Sequence, residues 1–481
     1  MMLALCALIP IFGSAALWFV RFPKRIWRMV WVEFITILTS LLVALALVKG
    51  EGKSFELFRL SDEFVLSFGF DGASRIFIGL AAFLWPFASL YAFEYMHHEK
   101  REGHFFTFYT LAYGITILLA AAENLFTMYV FYECLTVVTV PLVSHSRNKE
   151  SFRAARAYMV YLIGGASLGF AALVMVNMHA SGPFALGGIM GEGARNILPL
   201  RLAFAFAFFG FAAKAAVFPL CAWLPKASAA PTPVTALLHA VAVVNAGVYA
   251  VIRITYYVFG EHFMYGTYIQ TILILLCAFT VAYAAVRAVR ENHFKRRLAW
   301  STVSNLSYML AALMMMTRAG LASALTHMVF HGLVKIILFF AAGAVMVQTE
   351  RTKIRELHGL AKHMPVTFAC FLIAGLALTG VPPLCGFFSK YALIDAMLKA
   401  DSWQGIVAAG SLIVSAILTA VYIFSVAIPA YFTKPGEDTL KGNVDPHLPM
   451  KFVMAALTVC VVLISLMSGD VIGWMNAVAG I

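Results

Sequence analysis

Val217-Phe-Pro-Leu-Cys-Ala-Trp-Leu-Pro-Lys226 aligns without gaps with Val381-Pro-Pro-Leu-Cys-Gly-Phe-Phe-Ser-Lys390. Val, Pro, Leu, Cys and Lys are identical, and Ala/Gly and Trp/Phe are similar. Both stretches interrupt long apolar runs with proline: Pro219 and Pro225 in the first, Pro382 and Pro383 in the second. Proline removes a backbone donor and clashes with the preceding turn, so both runs are expected to be broken helices. Paired broken helices in corresponding positions are a sequence pointer to an ion site in a membrane protein.

The apolar character extends along the whole chain. Of 481 residues, 62% are hydrophobic and 12% charged, against about 25% charged in a soluble domain. No polar stretch is long enough to build a soluble domain. A spanning helix needs about 20 apolar residues. Fourteen candidates lie near 1–20, 29–48, 75–95, 105–121, 123–144, 156–177, 202–225, 232–256, 267–288, 298–316, 320–347, 364–397, 404–432 and 452–474. The expected fold is an all-α polytopic membrane protein. The two broken copies fall in helices 7 and 12, five helices apart, and an odd-numbered repeat inserts with opposite topology. The expected organisation is therefore helices 1–3 in residues 1–104, two inverted five-helix repeats in 105–256 and 257–432, and helix 14 in 433–481. Met1–Val20 lacks a basic leader region and a cleavage site, and is expected to be a retained helix.

The net charge of +12 fits alternate basic loops better than nucleic-acid binding. Arg21, Lys24, Arg25 and Arg28 follow helix 1; Arg147, Lys149 and Arg153 follow helix 5; Arg290, Lys295, Arg296 and Arg297 follow helix 9; and Arg351, Lys353, Arg355 and Lys362 follow helix 11. The opposite loops are poorer, with Lys53, Arg59, Arg195, Arg318 and Lys399. The loops after odd helices are expected in the cytoplasm, and both termini on the outer face of a cytoplasmic membrane. The seven cysteines form no C-x-x-C pair, and there is no P-loop or strand-to-helix G-x-G-x-x-G. No metal, cluster, flavin or nucleotide site is expected, so any driving redox chemistry belongs to another chain.

Four ionisable side chains lie deep in apolar runs: Glu133, Lys214, Lys335 and Lys390. Each costs at least about 2.5–3.5 kcal/mol at a membrane midplane, and such residues usually mark ion or proton paths. Glu133 and Lys214 are an acid and a base on nearby helices. Burial disfavours each charge and pairing restores it, so a pair that opens and closes is a usable proton switch. A static ion pair is the alternative. In helix 11, His327, His331 and Lys335 fall at i, i+4 and i+8 on one face and cover about 12 Å. Histidine suits proton transfer near pH 7. A lone histidine is more often a packed core residue; three aligned titratable groups are harder to explain so. His239 and Asn245 add to helix 8, and Lys390 stands beyond the break in helix 12. The side chains are too sparse to pass a proton directly, so water is required between them. Glu33 lies outside the repeat and has no assigned role.

These residues carry a resemblance over most of the chain. It is similar to the antiporter-like subunits of respiratory complex I, of Mrp-type sodium/proton antiporters, and of membrane-bound hydrogenases and formate hydrogenlyases. The matching stretches are Lys214 through Pro219, Trp223-Leu-Pro225, Ala230-Pro-Thr-Pro-Val-Thr-Ala-Leu-Leu-His239, Ala246-Gly-Val-Tyr249, Lys295-Arg-Arg-Leu-Ala-Trp-Ser-Thr302, His327 to Lys335 and Gly386-Phe-Phe-Ser-Lys390. The resemblance implies fourteen helices in two inverted repeats and a gating pair of Glu133 and Lys214. It implies relay roles for His239, His331 and Lys335, and a terminal role for Lys390. It also implies other membrane subunits and a peripheral redox arm as partners. Three departures stand out. Asn245 replaces a lysine common in relatives, Asn305 a histidine found in some, and Leu224-Pro-Lys226-Ala-Ser228 the usual Leu-Pro-Asp-Ala-His. The long lateral helix of the largest complex I antiporter-like subunit is not expected here.

The expected function is a proton-translocating subunit of a redox-driven complex, hydrogenase-linked or complex I-like, without redox catalysis or cofactor of its own. The alternative is a subunit of a multisubunit sodium/proton antiporter without a redox arm. A structural scaffold with dead half-channels and a solute symporter are further rivals. The partners expected are protons, sodium in the alternative, the lipid bilayer and neighbouring subunits, with no nucleic acid.

Overall fold

The computed structural model describes residues 2–50, 54–61, 64–180, 182–190, 197–433 and 442–481. Met1, Lys53 and Arg195 lie outside the described residues. Among those described, eleven helical segments are long and apolar enough to cross a membrane. In order these are α1 (Met2–Phe19), α2 (Arg25–Lys49), α3 (Gly72–Tyr95), α4 (Glu102–Ala120), α5 (Leu125–Val143) and α6 (Lys149–Asn177), then the eighth span, and then α11 (Tyr268–Arg290), α13 (Arg318–Thr349), α16 (Trp403–Phe432) and α17 (Leu448–Leu466). The eighth span combines α9 (Thr232–Ala240), α10 (Val243–Ile252) and a π turn, Arg253–Phe259.

The remaining three expected spans have identifiable reasons for falling short. Span 7 divides into α7 (Leu198–Ala212) and α8 (Trp223–Ala227), and span 12 into α14 (Pro365–Thr379) and α15 (Cys385–Leu398). Span 10 is α12 (Phe294–Met314), continuous but charged at its start by Lys295, Arg296 and Arg297. Pro382 and Pro383 occupy the linker between α14 and α15, and Pro219 the linker between α7 and α8. Pro225 lies in the first turn of α8, where its missing N–H is no loss. The polypeptide turns again at Met467 into α18 (Ser468–Ala479), which packs against α13.

The helices contain one addition that the all-α expectation did not include. Strands β1 (Phe55–Arg59) and β2 (Val65–Phe68) form an antiparallel hairpin, with Phe55 opposite Phe68 and a bulge between Glu56 and Phe58. Strands this short carry too little periodicity to read. The hairpin is held by stacked Phe55 and Phe68 rings, 5.3 Å apart, and by Asn124, whose amide donates to the Val65 carbonyl at 2.8 Å.

Burial sorts the helices. Spans 8 and 11 are enclosed along nearly their whole length, whereas α1, α2, α6, α16 and α17 keep most of their apolar surface outside. Helix α13 is the hub, touching α3, α9, α12, α14, α15, α17 and α18. His239, Asn245, His327, His331 and Lys335 all lie on the two enclosed spans, where polar side chains are costly.

Candidate functional site

Helix α7 stops at Ala212, and residues 213–222 run in turns before α8. Ala216 adopts a left-handed conformation with φ 56°. A break inside a membrane must satisfy its freed carbonyls within the protein. Tyr132 Oη donates to Phe211 O at 2.8 Å, and Trp223 Nε1 to Ala213 O at 2.9 Å. Gly247 of α10 lies flat against this turn, where a Cβ would stand 2.4 Å from the Ala215 nitrogen.

Lys214 lies in the turn and is fully buried. Its ammonium donates to the main-chain carbonyl of Tyr132 and stands 3.3 Å from the centre of the Tyr132 ring. Glu133 is the next residue along α5 from Tyr132, on whose carbonyl the ammonium rests. No ion pair within 4.0 Å joins Glu133 and Lys214, and Glu133 Oε1 is buried without a hydrogen-bond partner. The structure therefore brings acid and base together but separated, with the lysine held by backbone.

Span 8 has an interruption that the sequence did not signal. The Ala230–Pro233 stretch starts α9, and the helix breaks afterwards, between Ala240 and Val243. His239 lies in the last turn of α9, fully buried, with its ring 4.8 Å from that of Phe339 on α13. Neither ring nitrogen has a hydrogen-bond partner. Asn245 donates from Nδ2 to the freed Ala240 carbonyl at 2.9 Å, and its Oδ1 is unpartnered.

On α13 the rings of His327 and His331 stack with centroids 5.7 Å apart. His327 Nε2 lies 3.3 Å from Asn305 Oδ1, and Nδ1 lies 3.0 Å from Ser389 Oγ. The Asn305 amide is oriented by its Nδ2 donation to Ser301 O at 2.7 Å, so its oxygen faces the ring as an acceptor. Neutral His327 then carries its proton on Nε2 and accepts the Ser389 hydroxyl at Nδ1. When His327 gains a second proton, Nδ1 becomes the donor and the Ser389 hydroxyl turns to Gly386 O, 3.3 Å away. Both protonation states are thus satisfied by rotating one hydroxyl. Both His331 nitrogens lack partners. Lys335 donates to Ser301 Oγ and to Leu298 O, the latter at 3.1 Å.

Lys390 reaches back across the second break to Leu378 O at 2.7 Å and Thr379 O at 3.1 Å. These carbonyls end α14, where the helix dipole favours a cation. Gly380, at φ 93°, has the Lys390 Cδ 3.2 Å from where its Cβ would be. A cavity of about 10 Å³, bounded by Asn305, His327, His331, Ser389 and Lys390 among others, lies here. That is about the space one water molecule requires.

Lys226 does not join its aligned counterpart Lys390. It is exposed on α8, at the rim of a separate basic cavity. Glu33 stands apart too, accepting the Ser89 hydroxyl at 2.6 Å. Several contributors were not anticipated: Tyr132, Ser301, Ser389 and Lys295, whose ammonium donates to Ala230 O at 2.8 Å. One signal for them was available. Ser301, Ser304, Asn305 and Tyr308 recur at i, i+3, i+4 and i+7, a polar stripe on a helix buried at every position but Arg296. At the helix ends, burial and the charges of Arg296 and Lys295 push His293 down to about 4.

The family described as "NADH:quinone oxidoreductase/Mrp antiporter, TM" matches residues 122–419, which include every member of this row. NADH-quinone oxidoreductase subunit N of Desulforudis audaxviator is 32% identical over 443 residues, covering 89% of this chain and 86% of that protein. NADH-quinone oxidoreductase subunit L of Mycobacterium tuberculosis is 32% identical over 381 residues, 78% of this chain. The alignment takes in 58% of that longer relative. A chain in the structure of the membrane-bound sulfane sulfur reductase, an archaeal respiratory membrane complex, superposes with a TM-score of 0.87 over 99% of this chain and 97% of that one, at 23% identity. With the fold and the family motif region in agreement, the chain belongs to the NADH:quinone oxidoreductase/Mrp antiporter transmembrane family.

Proposed function

We propose that this chain is a proton-translocating, antiporter-like subunit of a redox-driven membrane complex. The proton moves laterally along Glu133, Lys214, His239, Lys335, His331, His327 and Lys390, with Asn245 and Asn305 ordering water between them. The observation that carries this reading is the set of unpartnered buried nitrogens on His239 and His331, together with Asn245 Oδ1 and Glu133 Oε1. Buried polar atoms nearly always have hydrogen-bond partners, and these belong to members of the proposed route. Water supplies the missing partners and the connection.

In this reading residues 105–256 and 257–432 are the inverted repeats, flanked by 1–104 and 433–481. The basic loops after odd spans face the cytoplasm, and both termini the outer side. The complex supplies a peripheral redox arm. A second reading, a subunit of a sodium/proton antiporter without such an arm, is favoured by the Mrp half of the family description. The deciding experiment is to purify the assembled complex, identify its partner chains by mass spectrometry, and reconstitute it in vesicles. Proton uptake driven by redox turnover without sodium supports the first reading. Sodium–proton exchange by a complex lacking redox subunits replaces it with the second.

A further inference from the structure

A cavity of about 520 Å³ opens among the N-terminal end of α6, helix α8, the C-terminal end of α11 and the N-terminal end of α12. It lies outside the row of buried titratable groups, at one end of the spanning helices. Arg153, Lys226, Arg287 and Arg296 line it, against the carboxylates of Glu150 and Glu291. Glu291 is already engaged: one oxygen accepts the His293 N–H at 3.0 Å and stands 3.5 Å from Arg296. No carboxylate lies within 4.0 Å of the charges on Arg153, Lys226 or Arg287 among the described residues. Arg287 is held over the Trp300 ring at 5.0 Å, which fixes its position and leaves its donors available. On the wall, Ser228 is 2% exposed and its hydroxyl has no partner. The site therefore presents an excess of cationic donors and a buried hydroxyl, the complement of a phosphate group.

What lies beside the cavity distinguishes a lipid phosphate from a free one. Tyr283 lines the cavity, and its ring contacts Phe279 and Phe218, with centroids 5.8 and 5.7 Å away. Phe279 is largely exposed, and the break in span 7 leaves Pro219 exposed and Phe218 half-buried beside it. A strip of exposed apolar surface thus leads from the charged cavity along a membrane-spanning helix. A soluble anion has no use for that strip, whereas an acyl chain does.

We propose that this cavity binds the headgroup of an anionic phospholipid, with its phosphate on Arg153, Lys226, Arg287 and Ser228 and an acyl chain along Phe279 and Phe218. The inference is independent of whether the buried row conducts protons.

The test uses the assembled complex in nanodiscs containing a trace of photoactivatable phosphatidylglycerol, with photoactivatable phosphatidylcholine as the comparison. Crosslinked residues are located by mass spectrometry. Labelling of α6, α8 or α11 at the cavity by the anionic lipid is expected to exceed that by the zwitterionic lipid. Arg287→Gln combined with Lys226→Gln is expected to lower it by at least about tenfold, since each lost charge-assisted hydrogen bond is by itself worth about that factor. Ser228→Ala, a smaller change, is expected to reduce it while leaving the thermal midpoint of the complex unchanged. Equal labelling by both lipids overturns the proposal. So does labelling that survives the double substitution, or a cavity that stays unlabelled because another subunit covers it. Loss of labelling on adding excess inorganic phosphate, with no preference between lipids, assigns the cavity to a free anion instead.

Discussion

The Asn245 side chain donates to the main-chain carbonyl of Ala240 at 2.9 Å and so closes the break between α9 and α10. An apolar residue at 245 leaves that carbonyl unpaired in a buried site. Asn245→Val is expected to destabilise the chain by about 1–3 kcal/mol, measured as a lower thermal midpoint in detergent. Asn245→Lys keeps a donor at this place and adds a titratable group. It is expected to preserve assembly and to hold proton uptake at or above the unsubstituted level. Loss of uptake in well-assembled Asn245→Lys complex counts against a lateral route past this residue.

Lys214 and Glu133 are separated here, with the lysine resting on the Tyr132 carbonyl. Lys214→Ala is expected to reduce proton uptake by vesicles to background while the complex still assembles. Glu133→Gln removes the carboxylate next to Tyr132, on which that lysine rests, and is expected to cut uptake about tenfold, or about 1.4 kcal/mol. Unchanged uptake in assembled Lys214→Ala complex removes this pair from the mechanism.

At the far end, Lys390→Ala leaves the Leu378 and Thr379 carbonyls without their ammonium donor. Turnover is expected to stop. Lys390→Glu keeps a titratable group but faces those carbonyls with the wrong charge, so partial activity at best is expected. Normal pumping by Lys390→Ala would move the exit to Lys335.

His293 lies at the start of α12, outside the span, and is held at about 4 rather than its ordinary 6.5. The folded chain therefore binds fewer protons than the unfolded chain between those values. Stability is indifferent to this group above pH 6.5, falls as the pH drops from 6.5 towards 4, and levels off below. Thermal unfolding from pH 7.5 to 4.5 is expected to show a smaller loss in His293→Asn than in the unsubstituted protein. Identical pH profiles would assign the acid sensitivity to other groups.

For orientation, Lys353 is exposed on the loop after α13. A cysteine at 353 is expected to resist a membrane-impermeant maleimide in intact cells and to react after permeabilisation. Ready labelling in intact cells would invert the proposed topology.

The fold was largely legible because its strongest signals were local. Apolar runs of about 20 residues announce spans, and Pro219 and Pro382 mark the linkers where α7 and α14 end. The break at Val241 was not legible, since its cause is tertiary: Asn245 supplies the stabilising donor, and Gly332 of α13 leaves room for the Ala240 carbonyl, 2.9 Å from where a Cβ would be. The hairpin at Phe55–Phe68 escaped because it depends on Asn124, far along the chain. Within the candidate site, Glu133, Lys214, Lys335 and Lys390 were legible as charges in apolar runs, whereas the alignment of Lys226 with Lys390 gave no sign of their different surroundings. One is exposed and the other enclosed, because α8 is a single short turn at the rim while α15 continues inward. Apart from Ser301, the acceptors of the lysines are main-chain carbonyls with no side-chain signature to read.

Lys214, Lys335 and Lys390 all rest on peptide carbonyls: those of Tyr132, Leu298, Leu378 and Thr379. No codon change can delete such an acceptor, and no acid can protonate it in the working pH range. Alanine scanning would leave the cradles of Lys214 and Lys390 intact and remove only the Ser301 hydroxyl from that of Lys335, so it would underreport how the ammonium groups are held. Replacing the amide acceptor by an ester, through semisynthesis at one peptide bond, is the perturbation that reaches it. The same construction lets the side chains around Lys214 and Lys390 vary while the oxygens that receive those two cations remain part of the main chain.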